Sequence, residues 1–129
     1  MAQSILTGPP VSRRRNLPNV FYGDIWFTDL DPTVGHEQAG QRPVLVVSPD
    51  GFKRSPLQLA FVVSITTNLR PLPSRVPLSP PEGGITRPSI ILCEAMRSIS
   101  HDRLQRHMGI AAPATLEAVR DRLRILMNL

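Results

Sequence analysis

Reactive side chains are concentrated in one polar stretch, DLDPTVGHEQAGQRPVLVV, which spans residues 29–47. His36, Glu37, Gln41 and Arg42 lie within it, directly ahead of an apolar segment. A histidine and a carboxylate suit general acid–base chemistry, and an arginine offers a planar, permanently charged fork that matches phosphate. A loop needs none of these side chains in order to turn, so this stretch is the first candidate for a functional site.

Two further groups of polar side chains interrupt or follow apolar segments. The apolar run that ends at Ser64–Asn68 closes with the hydroxyl groups of Thr66 and Thr67. Glu94 follows Cys93 inside another apolar run, and a buried glutamate needs a basic partner or a raised pKa. A purely structural interpretation is equally open here, in which Glu94 pairs with an arginine and caps the fold.

Several kinds of active site are excluded by the motifs. HEQAG at residues 36–40 lacks the second histidine of the zinc motif H-E-x-x-H. His101 and His107 have no acidic or cysteine partner at ligand spacing, so neither a metal site nor a cofactor is expected. No Walker loop, dinucleotide fingerprint or nucleophile elbow is present. An enzyme with this sequence is therefore expected to work without a metal and without a covalent intermediate.

The overall composition indicates a globular protein, and its basic charge is compatible with a polyanionic partner. The formal charge is +5 and the pI is near 11, although the preference for arginine over lysine can also reflect codon bias. The single cysteine, Cys93, excludes an internal disulfide and fits the reducing cytoplasm. No apolar run reaches the length of a membrane span, and no secretory signal is recognisable.

The elements that must position these side chains are predicted to be mainly β-strands. Alternating or continuous apolar residues predict strands, and the clusters of proline and glycine between them predict turns. A small barrel is expected, with a C-terminal helix that covers one face or mouth. A flexible tail at 1–18 precedes one domain at 19–129, with a long loop at 31–40. The predicted strands are 21–30, 42–49, 57–67, 75–80 and 88–96, and the predicted helix is 113–129.

Over residues 22–129 the sequence resembles the MazF/PemK/Kid family of toxin endoribonucleases from toxin–antitoxin modules. Gly23–Trp26 matches the opening strand of the family, and DPTVGHEQAGQRP at residues 31–43 matches its long loop almost residue for residue. The segment IILCEAMRSI, which ends at Ile99, is similar to a third family motif. The G-H-E-Q form of the loop is closest to the Kid/PemK branch.

The resemblance implies a fold and an activity. The family fold is an SH3-like barrel with added strands and a C-terminal helix, and it forms a homodimer. Family members cut single-stranded RNA without a metal, because the 2′-OH of the RNA attacks the adjacent phosphorus. The products carry a 2′,3′-cyclic phosphate and a 5′-OH, and a cognate antitoxin protein neutralises the enzyme.

The resemblance also assigns roles by position. Arg42 would bind the scissile phosphate and stabilise the charge that builds on it, and Thr66 would hydrogen-bond a phosphate oxygen. Glu94 occupies the position of the general base, and His36 that of a histidine with an acid–base or positioning role. Five further residues are predicted to contact RNA or shape its groove: Glu37, Gln38, Gln41, Thr67 and Arg97.

Three departures from the Kid branch keep other interpretations open. Leu92 stands where that branch has an arginine, Glu94 replaces a shorter aspartate, and Ala95 stands where the family commonly has glutamine. Arg87 and Arg97 are candidates to supply the missing charge. One alternative is a catalytically impaired family member that acts as a binding or regulatory partner. Another is a gyrase inhibitor related to CcdB on the same fold, although those proteins lack the G-H-E-Q…R-P loop.

Overall fold

The structure is a computed structural model that describes residues 19–30, 40–50, 52 and 56–129. The predicted tail at 1–18 and most of the predicted loop lie outside these residues, and so do His36, Glu37 and Gln38. No helix in the described ranges is long and apolar enough to cross a membrane. The elements are β1 (Asp24–Asp29), β2 (Gln41–Val46), β3 (Leu59–Thr66), β4 (Arg75–Leu78), β5 (Ser89–Ser100), β6 (Leu104–Ile110) and α1 (Pro113–Met127).

The strands form one six-stranded sheet in the order β4-β5-β3-β2-β1-β6, and all neighbours are antiparallel. All five predicted strands are present, which confirms the prediction of a mainly β fold with a C-terminal helix. β4 lies at one edge, where Pro77 is tolerated because an edge position does not require its missing N–H group. The three central strands, β5, β3 and β2, carry the apolar runs.

Both faces of the central strands are buried, as the nearly continuous apolar run of β2 predicts. Ile25 and Leu45 belong to one apolar cluster, and Trp26 and Val44 belong to a second cluster on the other face. The alternation along each strand therefore builds two cores, one on each side of a single sheet. These cores hold the strand ends, and the polar residues there, in fixed register.

β6 is the strand that the sequence pattern fails to predict, and β5 also continues to Ser100, beyond its predicted end at Met96. The reason is that β6 is an edge strand whose central residues, Gln105 to His107, are all exposed. With Leu104 as its single buried residue, the strand lacks the period-2 apolar pattern on which the prediction depends. The omission matters because β6 contributes one wall of the cleft described below.

A short 3₁₀ turn, Glu82–Gly84, connects β4 to β5 and lies against β6, so it links the two edges of the sheet. Contact is so close that a Cβ atom on Gly84 would lie 2.0 Å from the carbonyl oxygen of Met108. A Cβ atom on Gly109 would in turn lie 2.6 Å from the backbone of Gly83. Packing of backbone against backbone in this way gives the open sheet a barrel-like cross-section.

The helix α1 covers one core, and only the first part of its apolar face is used. Pro113 stands in the first turn, as predicted, and Leu116, Val119 and Leu123 pack against the sheet. Leu126 and Met127, predicted to continue this face, are about half exposed. The last turn of α1 thus extends beyond the core that it covers.

Candidate functional site

A cleft of about 520 Å³ opens where β1, β2 and β3 end beside β6 and the turn that follows β4. Its polar lining includes Arg42 from β2 and Thr66 and Thr67 from the end of β3. Both regions were singled out separately in the sequence, and the fold brings them into one cavity. The other lining residues are Phe27, Gln41, Pro43, Ile65, Gly84, Ile85, Thr86, Arg87, Ser89, Arg106 and Met108.

Strand register places Arg42 beside Thr66. Val44 pairs with Ser64 in the antiparallel ladder of β2 and β3, and the same register continued by two residues sets Arg42 opposite Thr66. On its other side, Arg42 pairs with Thr28, whose hydroxyl donates a hydrogen bond of 2.9 Å to the carbonyl oxygen of Arg42. Thr28 is fully buried, so it fixes the backbone from which the arginine projects.

The hydroxyl group of Thr66 is positioned by the turn after β3. Its Oγ1 accepts a hydrogen bond of 3.1 Å from the amide of Asn68. A hydroxyl offers one donor and two acceptor sites, so the O–H of Thr66 remains a donor for an external oxygen. Thr67 is exposed at the same rim, and Gln41 is exposed across from it at the start of β2. The cleft thus presents neutral hydrogen-bond donors next to the guanidinium of Arg42.

The cleft is positively charged. Arg42, Arg87 and Arg106 line it, and none of the described residues that line it is acidic. Within the described ranges, Arg87 and Arg106 form no ion pair with a carboxylate. A concave site lined by arginine side chains favours a phosphate-bearing ligand.

Glu94 lies away from this cleft. Val63 pairs with Met96 but the next residue, Ser64, pairs with Leu92, so Glu94 falls in a bulge of β5. Ile90, the partner of Thr66, is four residues back along the strand, a separation of about 13 Å. The structure therefore does not bring the predicted base together with Arg42 within the described part of one chain.

Glu94 is engaged in an ion pair, as the structural interpretation of this residue predicts, and it is exposed rather than buried. Ser74 donates a hydrogen bond of 2.7 Å to one carboxylate oxygen, and Arg75 contacts the other through Nε at 2.9 Å and Nη2 at 2.8 Å. Arg75 is the cross-strand partner of Leu92. A guanidinium therefore lies beside Glu94 although position 92 is a leucine, and it comes from the neighbouring strand.

The surroundings of Glu94 favour its ionised form. Partial burial raises the pKa of its carboxyl group, but the hydrogen bonds from Ser74 and Arg75 outweigh burial and leave the pKa below its ordinary value of 4.5. A carboxylate of lowered pKa is a weak base at neutral pH. In the described chain, the role that the contacts of Glu94 support is therefore to hold β4 against β5.

We predict that Glu94→Gln lowers stability at neutral pH and not in acid. The folded state holds the charged carboxylate at a lower pKa than the unfolded state, so its stabilising effect is complete above pH 4.5. That effect is lost as the pH falls through the lower, folded-state pKa. The expected loss is about 1 kcal/mol or less, because the pair is partly exposed. Urea unfolding at pH 7 and at the lowest pH at which the wild type still folds measures it.

Asp121→Asn is the matched control, since Asp121 pairs with Arg124 at 2.9 Å but both side chains are about half exposed. This exposed pair is expected to contribute only about 0.3–0.5 kcal/mol. An equal destabilisation by Glu94→Gln at both pH values would show that the charge of Glu94 contributes nothing to the fold.

Cys93, next to Glu94, is not a candidate nucleophile. Burial raises the pKa of its thiol to about 11, and the adjacent Glu94 adds to this effect while Arg122 opposes it. The thiolate is the nucleophilic form, and it is scarce at such a pKa. In the described ranges there is also no group of three or more side chains that could hold a metal ion.

The remaining predicted residues are divided between the cleft and other places. Gln41 and Thr67 line the cleft, whereas Arg97 pairs with Val62 in the middle of the ladder between β3 and β5. The sequence analysis missed Phe27 and Arg106. The alternating pattern of β1 could have indicated that Phe27 shares a face with the cleft, but Arg106 lies on the strand that had no apolar signal.

Comparison with known proteins agrees with this fold. A family described as PemK-like, MazF-like toxin of type II toxin–antitoxin system matches residues 22–127. The endoribonuclease EndoA of Bacillus subtilis is 34% identical over 108 residues, which cover 83% of this chain and 93% of EndoA. The crystal structure of MazF from Deinococcus radiodurans is 26% identical, with a TM-score of 0.76 over 87% of this chain and 99% of that chain.

A MazE–MazF crystal structure from the same organism also matches, at 26% identity and a TM-score of 0.71, over 87% of this chain and 98% of that one. The family match spans all six strands, including those that carry Arg42 and Thr66, and the whole of α1. This chain belongs to the PemK-like, MazF-like toxins of type II toxin–antitoxin systems.

Proposed function

We propose that this protein is a metal-independent, sequence-selective endoribonuclease toxin that cuts single-stranded mRNA. The observation that carries the proposal is the cleft that Arg42 and Thr66 line together and in which no described lining residue is acidic. A phosphodiester fits such a cavity, because a guanidinium and a hydroxyl can bind two of its oxygens. The names of the relatives point to the same activity.

The proposed reaction uses the RNA itself as the nucleophile. The 2′-oxygen forms a bond to the adjacent phosphorus and loses its proton, while the bond from phosphorus to the 5′-oxygen breaks and that oxygen gains a proton. The products are a 2′,3′-cyclic phosphate and a 5′-OH. Negative charge increases on the phosphoryl oxygens in the transition state, and the guanidinium of Arg42 is oriented in advance to stabilise it.

The identity of the acid and base stays a prediction. His36 belongs to the segment between β1 and β2, whose ends at Leu30 and Gly40 are joined by a hydrogen bond of 2.9 Å beside Gln41. That attachment favours His36 over Glu94, which is paired with Arg75 elsewhere. General acid–base assistance at this position would contribute about 10²–10⁴ in rate.

The proposed partners follow from charge and family. A cationic cleft can be occupied by an acidic, disordered segment of a cognate antitoxin, which would compete with RNA for the same arginines. A homodimer and a cytoplasmic location complete the proposal, as expected for a family member that acts on mRNA.

We expect purified protein to cut a long single-stranded RNA in the presence of EDTA, leaving cyclic-phosphate and 5′-OH ends. Primer extension gives the sequence at each cut. Resistance of the new 3′ ends to phosphatase then identifies them as cyclic phosphates. Intact RNA together with blocked DNA supercoiling by gyrase would support the CcdB-like alternative. Intact RNA and normal supercoiling would support the catalytically impaired family member.

A further inference from the structure

A second pair of residues in the cleft has the composition of a nucleobase site. Phe27 of β1 and Arg106 of β6 are cross-strand partners, and both line the cleft. The guanidinium carbon of Arg106 lies 5.3 Å from the centre of the Phe27 ring. This is the distance of a cation–π contact, in which the flat guanidinium is held by the ring.

Arg106 is accessible from the cleft, and the Phe27 ring that it contacts is held within the sheet. Arg106 is exposed, whereas Phe27 is only partly exposed and pairs with Pro43 on its other side. Within the described ranges, Arg106 makes no ion pair. Its outward surface is therefore available for stacking, and the aromatic ring behind it restricts its motion.

A flat cation on an aromatic ring suits a base better than a phosphate. Single-stranded nucleic acids bind to proteins by stacking their bases on aromatic and arginine side chains, and unpaired bases are free to do so. The phosphate candidates, Arg42 and Thr66, line the same cleft as Phe27 and Arg106, and Arg42 is the chain neighbour of Pro43, the cross-strand partner of Phe27. A nucleotide bound in this cleft therefore has both a phosphate site and a flat surface for its base within one cavity.

We propose that Phe27 and Arg106 form a stacking subsite for a nucleobase next to the phosphate held by Arg42. This inference rests on the proposed function and adds to it a base-binding position on β6. Because stacking is available to every base, the subsite raises affinity for single-stranded RNA without choosing one base. Sequence selection would come from other contacts.

The test uses the full chain and an RNA oligonucleotide that contains one mapped cut, made uncleavable by a 2′-deoxy sugar at that position. In a set of such oligonucleotides, each member lacks the base at one position, and that position differs from member to member. Arg106→Lys keeps the positive charge but removes the plane, and it should weaken binding of the intact oligonucleotide by about 5- to 150-fold. The loss should vanish for the oligonucleotide that lacks the stacked base.

Arg120→Ala is the matched control, because the guanidinium of Arg120 lies at the same 5.3 Å from the ring of Tyr22 but outside the cleft. It should bind every oligonucleotide as the wild type does. Equal weakening of all oligonucleotides by Arg106→Lys, or no weakening, would overturn the subsite. Wild-type protein that neither cuts nor binds RNA would instead overturn the proposed function, so the two failures are distinguishable.

Discussion

Arg42→Ala is expected to lower RNA cleavage by about 10²–10³-fold while the protein remains folded. Arg42 is the cleft arginine that strand register sets beside Thr66, and its backbone is held by Thr28 independently of its side chain. Loss of the guanidinium removes the donor that stabilises the transition-state charge and leaves the sheet intact. Single-turnover cleavage and circular dichroism measure the two effects.

Arg124→Ala is the control for loss of positive charge alone, since Arg124 is exposed on α1 and contacts Asp121. It should keep the wild-type rate. The cleavage rate of Arg42→Lys should lie between those of Arg42→Ala and Arg124→Ala, because lysine retains the charge but not the bidentate geometry of arginine. Wild-type cleavage by a folded Arg42→Ala protein would place the reaction elsewhere.

The largest effect on the fold is expected from Gly84→Ala. Gly84 has a φ of +78°, and a Cβ atom would lie 2.0 Å from the backbone oxygen of Met108. The left-handed backbone costs about 1–2 kcal/mol for alanine, and forced overpacking adds about 1–3 kcal/mol. Unfolding in urea should therefore show a loss of about 2–5 kcal/mol. RNA cleavage should also fall, because Gly84 and Met108 line the cleft.

Gly40→Ala separates the two causes. Gly40 has a similar φ of +80°, but a Cβ atom there would meet no atom of the described residues within 4 Å. The free energy of unfolding of Gly40→Ala should fall only by the cost of the left-handed backbone, about 1–2 kcal/mol. Equal destabilisation by both substitutions would show that the contact between the 3₁₀ turn and β6 does not hold the barrel together.

The sequence predicts the parts of this fold that have a buried face. The apolar runs of β2 and β3 indicate central strands, and the spacing of Leu116, Val119 and Leu123 indicates the helix. β6 has no such pattern because Leu104 is the single buried residue along it. An edge strand of this kind becomes visible only when its pairing with β1 is known.

The part of the candidate site that could be predicted consists of polar residues at the ends of apolar strands. Arg42 and Thr66 are polar residues at the termini of apolar strands, and the antiparallel register brings them together. Arg75 and Arg106 could not be predicted, because each makes its contact across strands, Arg75 with Glu94 and Arg106 with Phe27. Such contacts depend on pairing between β-strands that are distant in the sequence, and the residue pattern within one β-strand does not indicate that pairing.

The most direct test of the central claim is to locate the phosphate of an uncleavable RNA on the protein. An oligonucleotide with a 2′-deoxy sugar at the mapped cut can be titrated into isotope-labelled protein and followed by amide chemical shifts. The account predicts the largest changes at Gln41, Arg42, Thr66 and Thr67, around the cleft. Changes centred on Ser74, Arg75 and Glu94, with an unaffected cleft, would contradict it.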